Sequence, residues 1–303
     1  MSADAAAERS PLGVHSGLWG AGWSPEQAER AIGGAAAAGF DLIELPVSGP
    51  DTVDFTRAAL ERHGLRPTVS LALRADEDVN SEDAAAAARG EARLAAAVDH
   101  AAALGADFLG GVIYSQMGRY LSLPTAAGRR SSLAALRRTA RRAADVGVTL
   151  GVEYVNRYES NLLNTAAQTL EYLDELGEPN AVVHLDTFHA AIEEIDVADA
   201  AAVAGGRLGY IHASESHRGE LGTGRLDWDA LLRRLVGQGF AGPITVESFS
   251  SAIMPAADQI DIGLWRPMWS DADRVARRSH DFLRSRLDGL IAEREGSAPS
   301  AAA

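Results

Sequence analysis

Four side chains in the second half of the chain have the types needed to hold a divalent cation: Glu153, Asp186, His212 and Glu247. Each follows a short apolar or β-branched run: Gly151-Val152 before Glu153, Val183-His184-Leu185 before Asp186, Tyr210-Ile211 before His212, and Thr245-Val246 before Glu247. Their separations of 33, 26 and 35 residues are each about one strand-plus-helix unit, so the four can converge from neighbouring strands. Any one of them alone could be a strand-end cap or a salt-bridge partner; four at unit spacing, all at the same end of their strands, read as a site. Three carboxylates and one imidazole suit one hard-to-borderline divalent ion per subunit. Oxygen donors favour Mg²⁺ or Mn²⁺, and the single histidine also admits Co²⁺.

The elements that must position these residues alternate along the chain. Short runs predict eight strands at Leu12–His15, Leu42–Pro46, Thr68–Leu73, Phe108–Tyr114, Thr149–Tyr154, Ala181–Asp186, Leu208–His212 and Pro243–Glu247. Ala-rich segments of helical period lie between them, at Pro25–Ala38, Asp51–His63, Ser81–Leu104, Ser131–Val146, Thr165–Leu176 and Trp228–Gln238. A glycine (Gly39, Gly64, Gly105, Gly147 or Gly239) repeatedly stands between helix and next strand, where the left-handed turn at a helix end favours it. Eight such units predict a single (β/α)₈ barrel of class α/β. The rival, a doubly wound open sheet, usually carries a glycine fingerprint running from its first strand into a helix. Here the segment Gly17-Leu18-Trp19-Gly20-Ala21-Gly22-Trp23 does not do so. Ser270–Arg294 predicts an additional C-terminal helix outside the barrel. The barrel domain is placed at residues 11–295, with flexible tails rich in Ala and Ser at 1–10 and 296–303.

Composition removes several chemistries. The 303 residues contain no cysteine, which excludes disulfides, thiolate nucleophiles and cysteine-bound zinc. They also contain no lysine, since all 28 basic residues are arginine, so Schiff-base chemistry and a P-loop are excluded. A formal charge of −14 argues against nucleic acid as a partner. Arg129, Arg130, Arg137, Arg138, Arg141 and Arg142 fall mostly on one side of a helix and read as its solvated face. No apolar run is long enough for a membrane span and no secretory signal precedes the first strand, so a cytoplasmic location is expected. Gly222-Thr223-Gly224 reads as a turn leading to an Asp227 helix cap, because the strand–loop–helix context of a phosphate loop is missing. His15, Trp19 and Met117 follow strands one and four and are expected to line the pocket.

The runs Val152-Glu153-Tyr154-Val155-Asn156-Arg157-Tyr158-Glu159, His184-Leu185-Asp186-Thr187-Phe188-His189 and Glu193-Glu194 resemble the D-tagatose 3-epimerase and D-allulose 3-epimerase family, as do Glu215-Ser216-His217-Arg218-Gly219 and Gly222-Thr223-Gly224. The resemblance extends roughly from Gly13 to Leu287. It implies a metal-dependent isomerase that inverts C3 of free ketoses, with Glu153, Asp186, His212 and Glu247 as metal ligands. It also implies Glu153 and Glu247 as the acid–base pair, Glu159, His189 and Arg218 on the substrate's oxygens, and a homodimer or homotetramer. The family varies around strand four, some members having an aromatic residue where Met117 falls, which bears on the choice of sugar. Strands five and eight are roughly 135° apart around an eight-strand ring, so the two glutamates can approach one carbon from nearly opposing sides. An aldose–ketose or hydroxypyruvate isomerase could use the same ion and acids. An apurinic endonuclease of this architecture would need more histidines at the rim, and a silent sugar-binding protein would not need both glutamates.

Overall fold

In the computed structural model, which describes residues 9–296, the chain closes into a barrel of eight parallel strands in sequence order. The strands are β1 (Leu12–His15), β2 (Leu42–Pro46), β3 (Arg66–Ser70), β4 (Phe108–Gly110), β5 (Thr149–Tyr154), β6 (Ala181–Asp186), β7 (Leu208–Ala213) and β8 (Ile244–Val246). The ring shuts where Gly13 of β1 pairs with Thr245 of β8. Around it lie α1 (Pro25–Ala38), α2 (Val53–His63), α3 (Ala84–Leu104), α4 (Ala126–Asp145), α5 (Ala166–Leu176), α6 (Thr187–Glu193), α7 (Val197–Ala204), α8 (Trp228–Gly237), α9 (Ala256–Asp261) and α10 (Ala272–Gly296). The expected barrel and the terminal helix are both present. No helix among the described residues is long and apolar enough to cross a membrane.

Capping chemistry sets the helix starts. The Ser24 hydroxyl accepts from the Gln27 amide ahead of α1, and Asp227 accepts from Ala230 ahead of α8, as the turn reading of Gly222–Gly224 anticipates. Asp83 caps α3, so that helix starts at Ala84 and not at Ser81. Thr125 caps α4, which therefore begins at Ala126, more than a turn before the expected Ser131. Alanine then lets the helices sit close to the barrel. On α1, Ala28, Ala31, Ile32 and Ala35 form the buried stripe, at the i, i+3, i+4, i+7 spacing of an inward face. The arginines of α4 face outward and bridge to neighbouring helices, Arg142 to Asp99 at 2.7 Å, Arg129 to Glu175 at 2.8 Å and Arg138 to Glu91, and Arg141 bridges to Glu178 in the loop after α5 at 2.8 Å.

Two strands end sooner than their apolar runs suggest. The expected strand Phe108–Tyr114 stops at Gly110 because Gly111 takes φ of 109°, and a Cβ there would lie 2.2 Å from the Leu71 carbonyl oxygen. β3 runs Arg66–Ser70 where Thr68–Leu73 was expected, although Leu71 and Leu73 still donate to the carbonyls of Gly110 and Val112. The N-terminal boundary is packed: Ser10 is buried and its hydroxyl donates to the Phe240 carbonyl. The remaining residues of the two predicted tails, 1–8 and 297–303, lie outside the described residues.

The barrel is filled by pairing large inward side chains with glycine. The Phe108 ring stacks on Tyr210 with centroids 4.2 Å apart, and His184 stands edge-on to Tyr210 at 4.8 Å and to His212 at 4.2 Å. Room for this column comes from Gly110 and Gly151: an added Cβ would lie 2.8 Å from the His184 ring and 2.2 Å from the Phe108 ring, respectively. Overfilling so dense an interior costs about 1–3 kcal/mol. Gly151→Ala is therefore expected to lower unfolding free energy by about that amount, measured by urea unfolding; an unchanged midpoint would contradict the packing described.

Candidate active site

β5, β6 and β7 each deliver one inward polar side chain at their C-terminal ends, and the residue after β8 delivers the fourth. Asp186 pairs with His212 across β6 and β7, and the Glu247 amide donates to the Ala213 carbonyl, which continues the β7–β8 ladder by one residue. The four expected residues therefore meet. His212 Nδ1 lies 3.2 Å from Glu153 Oε1, 3.6 Å from Glu247 Oε1 and 4.0 Å from Asp186 Oδ2. All four are buried. Asp186, His212 and Glu247 each offer a donor atom within 4.8 Å of the others, and so do Glu153, Asp186 and His189. These clusters are consistent with a divalent metal site: three converging carboxylates face one guanidinium and one imidazole, and their donor types are those a hard divalent ion takes.

Arg218 supplies the nearest fixed positive charge. Its Nη1 donates to Glu247 and lies 3.4 Å from Asp186 Oδ2, while Nη2 is 3.0 Å from His189 Nε2. The guanidinium is held over Phe188, 4.2 Å from the ring centre, and near Phe249 at 5.2 Å. Reaching that place puts Arg218 at φ of 62°, and it is the sole non-glycine residue at positive φ among the described residues. Such a conformation costs about 1–2 kcal/mol and persists only where the surroundings over-determine it. Here its amide donates to the Glu215 carbonyl, and its own carbonyl accepts from the Phe249 amide and the Ser248 hydroxyl. The Glu215 carboxylate in turn takes the Gly222 amide at 3.0 Å and the Trp228 indole N–H at 2.9 Å, tying the Gly222–Gly224 turn to the same loop.

Beside this lies a second polar group. The Asn156 side-chain amide is 2.8 Å from His189 Nδ1 and donates to Glu159 Oε1 at 2.9 Å. Glu159 Oε2 is buried without a hydrogen-bond partner, 3.9 Å from His189 Nε2. Burial holds His189 well below the usual imidazole range, with Arg218 adding to the effect, so this ring is neutral.

The two glutamates sit in unlike fields. Burial raises the Glu153 carboxyl, against the pull of His212 and with help from Glu247 and Glu44. Burial also works against ionisation of Glu247, but His212 and Arg218 outweigh it and hold that carboxyl below the usual range. Burial disfavours the charged His212 ring as well, yet Glu44, Glu247 and Glu153 together push it well above its ordinary value.

The remaining expected residues separate. His15 is near the cluster, its ring 6.4 Å from His212 and 5.6 Å from Phe249. Met117 is partly buried, its amide donating to the Leu73 carbonyl, and the next amide, Gly118, donates to the Glu159 carbonyl at 2.7 Å. The Trp19 indole is turned toward the outer helices: it lies on Gly34 of α1 and its N–H donates to Asp273 of α10 at 2.8 Å. A buried indole N–H needs an acceptor, and Asp273 provides it. Sequence reading missed Glu44, a fully buried acid on β2 within hydrogen-bond reach of His212. The available signal was an acid flanked by the buried Ile43 and Leu45. Burial opposes ionisation of Glu44, but His212 draws it down to about 2.

The chain matches the family described as xylose isomerase-like TIM barrel over residues 32–286. It is 42% identical to the L-ribulose 3-epimerase of Methylomonas sp. (strain DH-1), over 92% of this chain and 98% of that protein. It is 41% identical to the ketose 3-epimerase of Arthrobacter globiformis, over 92% of this chain and 97% of that one. Among solved structures, D-allulose 3-epimerase from Methylomonas sp. in complex with D-allulose superposes with a TM-score of 0.89 at 42% identity, covering 92% of this chain and 98% of that chain. With the rim of acids and histidines at the ends of β5 to β8, this places the chain in the ketose 3-epimerase family of the xylose isomerase-like barrels, as an isomerase acting on sugars.

Proposed function

We propose that this chain inverts C3 of free ketoses through a cis-enediolate, using one divalent ion (Mn²⁺, Co²⁺ or Mg²⁺) per subunit and working as a cytoplasmic homodimer or homotetramer. The observation that carries the reading is the meeting of Glu153 and Glu247 from separated strands around His212 and Asp186. Relatives named for L-ribulose and D-allulose support pairs such as L-ribulose with L-xylulose and D-fructose with D-allulose. D-tagatose with D-sorbose belongs to the same range.

Inverting a carbon next to a ketone requires removal of its proton on one face and return of a proton on the other. Glu153 and Glu247 serve as that pair, one accepting from C3 while the other donates. A divalent ion held by Glu153, Asp186, His212 and Glu247 would supply the positive charge that polarises the ketone and stabilises the enediolate. Arg218 and neutral His189 present donors to the substrate's oxygens, and Glu159, with one carboxylate oxygen unpaired, accepts from a sugar hydroxyl. The Phe188 and Phe249 rings against Arg218 keep water from its guanidinium and strengthen its pull. His15 forms one wall, and Met117 meets the distal end of the sugar. Trp19 instead spans the contact between α1 and α10.

Exhaustive chelation is expected to abolish turnover, and Mn²⁺, Co²⁺ or Mg²⁺ to restore it; full activity in protein verified metal-free would end the metal-dependent reading. Glu153→Gln and Glu247→Gln should each lose more than about a hundredfold in epimerisation rate, with bound metal assayed in the same samples to separate proton transfer from ligand loss. The reaction class is tested by incubating the protein with D-fructose, D-tagatose, D-allulose and L-ribulose in D₂O and following products by NMR. C3 epimers carrying deuterium at C3 are expected. Aldoses without any C3 epimer would identify a C1–C2 isomerase instead.

A further inference from the structure

We infer that Glu44 is a positioning residue for the cation site, holding His212 as its Nε2–H tautomer so that Nδ1 keeps a lone pair for the ion. This rests on the reading of His212 as a ligand. A neutral imidazole carries one N–H and one lone pair, and the partner of one nitrogen decides which. Both Glu44 oxygens lie 3.0 Å from His212 Nε2. Carboxylate oxygens face both nitrogens, Glu153 Oε1 lying 3.2 Å from Nδ1, so the metal-free ring holds a proton on each. A cation on the Glu153 side would displace the Nδ1 proton, and the proton facing Glu44, which can only accept, stays on Nε2. The other nitrogen then faces Glu153 and Glu247, the side an ion would take.

Glu44 is itself fixed. It stands on β2, across the barrel from β7, and is completely buried. The Tyr210 hydroxyl donates to its Oε2 at 2.7 Å, the Thr245 hydroxyl donates to Tyr210 at 2.6 Å, and the Thr68 hydroxyl lies 2.9 Å from Tyr210. A directed chain therefore runs from Thr245 through Tyr210 to Glu44, where His212 arrives from the other side. Burying a carboxylate is costly unless strong partners offset it, and an apolar residue would fill the same space between Ile43 and Leu45 without that cost. The recompense for Glu44 is the orientation of His212. Sequence spacing does not expose this role, because Glu44 lies inside a strand and far from the other rim residues.

The test uses the full chain, stripped of metal, as wild type, Glu44→Leu, Glu44→Gln and Tyr210→Phe, with circular dichroism confirming the fold. Mn²⁺ affinity is measured by calorimetry. The His212 ring is read by ¹⁵N NMR of histidine-labelled protein, both with Mg²⁺ and metal-free at alkaline pH, and assigned with His212→Asn. Glu44→Leu is expected to weaken Mn²⁺ binding about 10- to 100-fold and to lose the protected Nε2–H signal. Glu44→Gln retains an acceptor, so it should keep that signal and fall near the tenfold end, and Tyr210→Phe should lose only a few-fold. Turnover of each variant at saturating Mn²⁺ should recover toward wild type, as expected of a residue acting through a ligand. Wild-type affinity in both Glu44 variants, or an unchanged His212 ring spectrum in Glu44→Leu, overturns the inference; if Glu44→Leu does not fold, Glu44→Gln decides it. Failure of the wild type to bind any cation would instead overturn the metal reading, and the metal-free ring spectrum would still judge Glu44.

Discussion

Three carboxylates are buried together at one end of this barrel, and their mutual repulsion is the constraint around which the rest of the site is arranged. Like charges without water between them interact far more strongly than on a surface, so Glu153, Asp186 and Glu247 require positive charge among them. His212 lies within 4.0 Å of all three. Arg218 serves Glu247 and Asp186, and its loop accepts a left-handed backbone to bring it there. The donor set is consistent with a divalent ion, which would complete the balance.

The same constraint divides the site into two halves. On the β7–β8 side, Arg218 and His212 keep Glu247 ionised. On the β5 side, Glu153 forms no ion pair with an arginine among the described residues, and its carboxyl is raised by burial. Two chemically identical side chains thus have different protonation tendencies in the metal-free site. Neutral His189, linked through Asn156 to Glu159, adds directional donors and acceptors without adding net charge to the crowded rim.

Much of this was legible in the sequence because a barrel writes its active site at regular intervals. Glu153, Asp186, His212 and Glu247 each end a recognisable apolar run, so strand spacing alone predicts their convergence. Glu44 was not legible in this way, since an acid in mid-strand gives no sign of which partner across the barrel will accept it. The early end of β4 escaped as well: Phe108–Tyr114 is apolar throughout, and only the close approach of Gly111 to the Leu71 carbonyl shows why the strand stops. The short helices α6 and α7 were missed because α6 follows β6 with no intervening loop, and neither is long enough to show a clear helical period. Trp19 was read from its place after β1, but a hydrogen-bond acceptor on a helix some 250 residues later decides where its indole goes.

The bridges from α4 to its neighbours are all made by guanidinium groups, and the sequence contains no lysine at all. Arginine holds carboxylates in a planar fork and stays charged at any pH the fold survives. It also lacks the free amine that condenses with a carbonyl to form a Schiff base. A protein that handles free ketoses is bathed in carbonyl compounds, and a lysine on its exterior would be open to slow covalent attachment by its own substrate and product. With no side-chain amine anywhere in the chain, that route of sugar-driven ageing is closed at every helix-to-helix contact.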